Sequence, residues 1–358
     1  MGVFYNKEQK IFHLQAKNSS YVIKILKSGH LGHAYWGAKI KKDRDLSHLI
    51  RHEERPLEPY LSPKSEEFHD ESYSLDMIPQ EYPAYGQTDY RQPAYHIELE
   101  NGSRISDLRY ESHDIISGKE ELSGLPATYV EDKAEAETLK ITLKDEIANL
   151  QVVLNYTVYE NFNAITRSAK FINQGQQNLN LNRALSASVD FNQADFELLQ
   201  LSGSWSRERH VKKRPLEQGI QAIESTRGAS SPYQNPFLAL LDKDATEDNG
   251  EVYGFSLVYS GNFLGQVQVN HFDQTRVNLG INPFDFNWLL KPTDSFQTPE
   301  VVMVYSNQGL NQMSQAYHKL YRTRLARGKY RDEVRPILVN NWEATYFDFN
   351  EDKLLDLA

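Results

Sequence analysis

Aspartate and glutamate number 49 in this 358-residue chain, against 39 lysines and arginines and 11 histidines, and cysteine is absent. Carboxylates are therefore the most plentiful groups able to move protons or attack as nucleophiles. Glycoside hydrolysis employs two of them about 5–9.5 Å apart. Linear spacing does not encode that distance, so the residues by themselves select no pair. The histidines form no H-E-x-x-H and no paired helical spacing, which disfavours a catalytic zinc, and no metal or cofactor is expected. Without cysteine, neither a disulfide framework nor a thiolate-held metal is available. Gly124, Gly175, Gly219 and Gly228 belong to no dinucleotide or Walker pattern, and no G-x-S-x-G elbow occurs. The N-x-S/T sequons at Asn18, Asn101 and Asn155 are read as chance.

Charge narrows the partners. The net charge is -10 and the pI is near 5.6, so nucleic acid and anionic membrane surfaces are disfavoured. No run of about 18 apolar residues is present, which leaves no transmembrane helix. The opening MGVFYNKEQK carries charge where a signal peptide needs an apolar stretch, so a cytoplasmic location is expected. Tyrosine (21) far outnumbers tryptophan (4), which suits strands and also suits neutral polar ligands such as sugars.

The elements that would position any site read mostly at period two. Residues 20–26 (SYVIKIL) form one β-rich run, closed by Ser28-Gly29. Leu139, Ile141 and Leu143 alternate with Lys140, Thr142 and Lys144. Leu150, Val152, Leu154, Tyr156 and Val158 share one face, as do Ile165, Arg167, Ala169 and Phe171. Residues 251–259 and 263–269 repeat the behaviour around Ser260-Gly261-Asn262. Many short strands separated by turn signals predict a β-sandwich and not βαβ units. Residues 43–76 are charged, proline-bearing and poor in apolar groups, and read as a long surface excursion. The basic run RERHVKKR at 207–214 reads as a solvated loop. Leu310, Met313, Tyr317, Leu320, Tyr321 and Leu325 predict one helix, with arginines in its last turns and Gly328 as a stop. After it, residues 335–342 (RPILVNNW) read as a buried strand ending in polar and aromatic groups, and 350–358 as a following helix.

The segments EYPAYGQTDYR (81–91), GLPATYVED (124–132), RALSASVDF (183–191), RGASSPYQNPF (227–237), VYGFSLVYSGNFLGQVQV (252–269), GINPFDFNWLL (280–290), FQTPEVVMVYS (296–306), YRTRLARG (321–328) and RPILVNNWEATYFDFNE (335–351) resemble the α-galactosidases of glycoside hydrolase family 36. The likeness runs from about residue 4 to the end, and is strongest to bacterial intracellular, tetrameric members acting on melibiose and raffinose.

The resemblance implies a mainly β fold. A large β-supersandwich would span 1–309 and a linking helix 310–330. Residues 331–358 would hold the first strand of a truncated (β/α)8 barrel. It implies a retaining mechanism with two carboxylates for the whole enzyme. The family's K-W-D nucleophile motif and D-D-G-W block are absent from these residues and would lie beyond Ala358. No catalytic residue is therefore assigned here, and this polypeptide alone is expected to be inactive. Trp342 matches the family's sugar-stacking tryptophan. Glu54-Arg55 matches an acidic-Arg pair that reaches a neighbouring subunit's site, with Glu in place of Asp. Implied partners are α-galactosides and further copies of the chain, as a tetramer when intact. The competing readings are a non-catalytic carbohydrate-binding or assembly module, and a relative that transfers galactose or cleaves α-N-acetylgalactosamine. Tyr90, Arg91, Ser230 and Ser231 are expected to serve buried hydrogen bonding.

Overall fold

Alternating apolar and polar residues predict strands with one face in a core. The computed structural model, which describes residues 2–42, 44–50 and 74–358, shows three antiparallel sheets. The first has four strands in sequence order, β1 (Gly2–Asn6), β2 (Ile11–Gln15), β3 (Ser19–Ile25) and β4 (Leu31–Ala38). The ten-stranded sheet contains β6 (Arg109–Ser117), β7 (Ala136–Asp145), β8 (Leu150–Tyr159), β9 (Ala164–Asn173), β11 (Phe196–Ser204), β12 (Arg207–Pro215), β14 (Gln234–Asp242), β15 (Val252–Val258), β19 (Ser295–Gln297) and β20 (Glu300–Ser306). Its order is β12-β11-β14-β15-β20-β9-β8-β7-β6, with β19 also paired to β9. A six-stranded sheet is built on the long strand β10 (Leu179–Phe191) with β5 (Tyr95–Leu99), β13 (Gly219–Ser225), β16 (Phe263–Val269), β17 (Thr275–Ile281) and β18 (Trp288–Leu290).

The main core takes side chains from all three sheets. Leu139 and Ile141 of β7, Val152, Leu154 and Tyr156 of β8, and Val301, Met303 and Tyr305 of β20 meet Val189, Val277, Phe12 and Tyr21. The neighbours of the β20 residues in sequence, Val302 and Val304, face the other way. They pack under helix α1 (Gly309–Arg324) together with Leu310, Met313, Tyr317 and Leu320. A β-carbon added at Gly254 of β15 would lie 2.6 Å from Met313 Sδ and 3.0 Å from the Tyr317 ring, so the missing side chain is what lets the helix approach.

Chain contacts divide the molecule into Met1–Leu325 and Ala326–Ala358. The second unit holds helices α2 (Trp342–Thr345) and α3 (Glu351–Leu357); the latter meets the helix expected over 350–358. The buried strand expected over 335–342 is not found. Residues 334–341 carry no ladder, and Ile337 and Leu338 are exposed. A strand is held by hydrogen bonds to a neighbour, and no described strand pairs with this run. The basic run at 207–214 is likewise not a loop. It is β12, the outermost strand of the large sheet, exposed throughout and paired only to β11. An edge strand tolerates unbroken charge, which also discourages edge-to-edge pairing.

Candidate functional site

Trp342 opens α2 instead of closing a strand, because Asn340 Oδ1 accepts a hydrogen bond from its backbone N–H at 3.0 Å and turns the chain. Tyr346 then adopts a left-handed φ of 49° while its N–H closes on Trp342 O at 2.8 Å. That turn folds Tyr346 and Phe347 back on the indole, with ring centroids 5.6 Å and 4.9 Å from it. About half of Trp342 stays exposed. A half-exposed indole among aromatic neighbours suits the apolar C–H side of a pyranose. Beside it, the Asn341 amide donates to Thr345 Oγ1 at 2.9 Å, and Asn340 is exposed. Glu54 and Arg55 lie outside the described residues.

Three buried carboxylates, Glu81, Asp89 and Asp190, are committed to arginines. Glu81 is fully buried and accepts from Tyr21 Oη at 2.6 Å, Tyr156 Oη at 2.8 Å and His33 Nδ1 at 3.0 Å, with Arg167 Nη1 at 2.9 Å. Arg167 also donates to the Ser188 and Glu81 carbonyls. Tyr21 and His33 belong to the four-stranded sheet, Tyr156 and Arg167 to the ten-stranded sheet, and Ser188 to the six-stranded sheet. One ion pair thus ties all three sheets together. Burial by itself would raise the Glu81 pKa; the Arg167 guanidinium, with His33 and Tyr21, outweighs it and holds the carboxyl below the usual range.

The second cluster, around Asp89 and Asp190, is charge-balanced. Arg276 grips Asp190 through Nε and Nη2, both at 2.7 Å, and reaches Asp89 at 2.7 Å. Arg91 bonds Asp89 through Nε at 2.9 Å and approaches Asp190 at 3.2 Å. Burial would raise the Asp190 carboxyl, but Arg276 and Arg91 hold it low. A glycosidase general acid needs a raised pKa and access to the leaving oxygen. Glu81 and Asp190 have neither. Among the described residues, no group of three or more histidines and carboxylates is placed to hold a metal ion.

The residues singled out in the sequence divide. Arg91 is buried and bonded as expected, also donating to the carbonyls of Leu75 and Ile78. Tyr90 is exposed, because it sits between two residues that turn inward. Ser230 and Ser231 are half-buried and line a shallow surface pocket with Arg209 and Asn235, so they are not core hydrogen-bonding groups. Sequence reading did not assign the structural roles of Glu81, Arg167, Asp89, Asp190 and Arg276. A signal was present for Arg167, which falls in the apolar register of β9 with Ile165, Ala169 and Phe171. A charge there is buried and needs a partner, but the partner is 86 residues away in sequence.

Three antiparallel sheets sharing one core, with a helix packed on the largest, make a β-supersandwich scaffold. The profile described as Glycosyl hydrolase family 36 N-terminal domain matches residues 29–291, and that described as Melibiase matches 295–358. The chain belongs to glycoside hydrolase family 36. It is 58% identical over its whole length to alpha-galactosidase AgaA of Geobacillus stearothermophilus, covering 48% of that protein. It is 43% identical to alpha-galactosidase Mel36A of Lactobacillus acidophilus, over 98% of this chain and 47% of the relative. The solved structure of AgaB from Geobacillus stearothermophilus superposes with a TM-score of 0.92 at 58% identity, covering 100% of this chain and 48% of that one. A structure of an AgaA variant in complex with raffinose gives the same TM-score of 0.92, over 97% of this chain and 48% of that one. The chain thus spans about half the length of the relatives it matches.

Proposed function

We propose that this chain is the N-terminal portion of a retaining α-galactosidase acting on terminal α-galactosides of the melibiose and raffinose type. The carrying observation is the 58% identity to AgaA along all 358 residues. The division of labour within the chain follows the family resemblance. The sandwich, 1–309, and the linking helix, 310–330, form the scaffold, and residues 331–358 begin the barrel. Trp342 stacks on the sugar, and its half-exposed indole supports that role. Glu54 and Arg55 reach toward a neighbouring subunit's sugar site in a cytoplasmic homo-tetramer, a part that rests on the family resemblance. The buried carboxylates described above are spoken for by arginines, and no K-W-D occurs in the sequence, so the reacting acids are not among these residues. The purified 358-residue chain should therefore show no turnover of a chromogenic α-galactoside. Robust turnover that copurifies with it through two columns would overturn this assignment.

A further inference from the structure

Helix α1 covers only part of the outer face of the large sheet. Beyond it, that face changes character along β7, β8 and β9. Ala136, Tyr159 and Ala164 lie side by side under the helix layer. The next same-face rung is Thr138–Thr157–Thr166, and the one after it is Lys140–Asn155–Ser168. A third runs Thr142–Val153–Lys170 and continues onto Gln297 of β19. These rungs floor a groove of about 680 Å³, within the range of small-ligand sites. Neighbouring positions along a rung are about 4.8 Å apart on a rigid ladder.

Two observations point to an occupant. First, Thr166 and Ser168 are at least nine-tenths buried and face the groove, yet neither hydroxyl has a hydrogen-bond partner among the described residues. The half-buried Asn155 and Lys170 side chains, in the same groove, make no hydrogen bond or ion pair to another described residue either. Their polar atoms border the groove's solvent and can bond the hydroxyls of a ligand. Second, the indole of Trp288 stands at the rim, about half exposed, held by Phe296 at 5.1 Å between ring centroids. Formal charge in the lining nearly cancels, with three lysines against four carboxylates. Lys119 is paired to Glu300 and Lys140 to Glu120. A neutral ligand is favoured over an anion.

We propose that this groove binds a neutral oligosaccharide. Trp288 stacks on one pyranose, and Ser168, Thr166, Asn155 and Lys170 take up its hydroxyls. The assignment goes beyond the α-galactosidase reading and does not depend on it.

The test is saturation-transfer NMR and calorimetry on the 358-residue chain, with raffinose and maltotriose as probes. Saturable binding of at least one trisaccharide is expected. Trp288→Ala should weaken it by about tenfold, and Ser168→Ala or Asn155→Ala by about three- to tenfold each. Trp205→Ala, at an exposed tryptophan outside the groove, should leave it unchanged. Because Trp288 and Asn155 are on the surface of the groove, their variants should melt with wild type. The proposal is overturned if neither trisaccharide saturates the chain, or if Trp288→Ala binds as wild type does. Loss of binding on Trp342→Ala alone would move the sugar to the tail and overturn it too. So would self-association that Trp288→Ala dissolves in the absence of any sugar binding, which would make the face a protein contact.

Discussion

Replacing Glu81 with glutamine preserves side-chain size but removes the charge that balances Arg167. The guanidinium is then left buried among Tyr21, Tyr156 and the Ser188 carbonyl. Breaking one side of a buried pair costs about 3–5 kcal/mol. Unfolding entropy of about 2.1 cal/mol/K per residue, taken over the unit Met1–Leu325, makes each kcal/mol worth roughly 1.5 °C. Glu81→Gln should therefore lower the melting temperature by about 4–7 °C, measured by calorimetry or circular dichroism at pH 7. The double change Glu81→Gln with Arg167→Met removes both charges and should recover much of the loss. The pH dependence has a fixed sign. The folded carboxyl titrates below its ordinary value of about 4.5, so its contribution is full above that pH and fades as pH falls through the lower folded value. The gap between wild type and Glu81→Gln should accordingly close on acidification below about pH 4.5. A melting temperature for Glu81→Gln within about 1 °C of wild type would refute the claim that this pair ties the sheets, as would strictly additive single and double changes.

Two further outcomes follow from packing and protonation. Gly254→Val would drive a side chain into Met313 and Tyr317, and should cost about 1–3 kcal/mol, read as an earlier urea midpoint and a loosened α1 by hydrogen exchange. Burial, helped by Lys39, lowers the His13 pKa from 6.5 to about 4. The unfolded chain then takes up that proton first, so wild type should lose stability between about pH 6.5 and 4 while His13→Gln loses less. Parallel pH profiles for the two proteins would contradict this.

The strands were legible wherever one face is buried, as in β7, β8 and β9, because period-two alternation is imposed by the core. Helix α1 was legible because Leu310, Met313, Tyr317 and Leu320 meet a single apolar sheet face. Residues 335–342 misled because apolar content marks a buried strand only when a ladder partner is at hand. Residues 207–215 misled in the other direction, since an edge strand needs one partner and no apolar face. The paired charges were hidden because Glu81–Arg167 and Asp190–Arg276 join residues far apart in sequence. The polar rungs beside Trp288 were hidden for a related reason. Thr157, Thr166, Asn155 and Ser168 read as ordinary solvent-facing positions until the register places them on one floor.

The measurement that bears most directly on the account is a chimera joining residues 1–358 to the remaining half of Geobacillus stearothermophilus AgaA, assayed with a chromogenic α-galactoside. The account predicts turnover from the chimera, none from residues 1–358 alone, and a marked loss in the chimera carrying Trp342→Ala. A folded chimera without turnover, or one indifferent to Trp342→Ala, would contradict it.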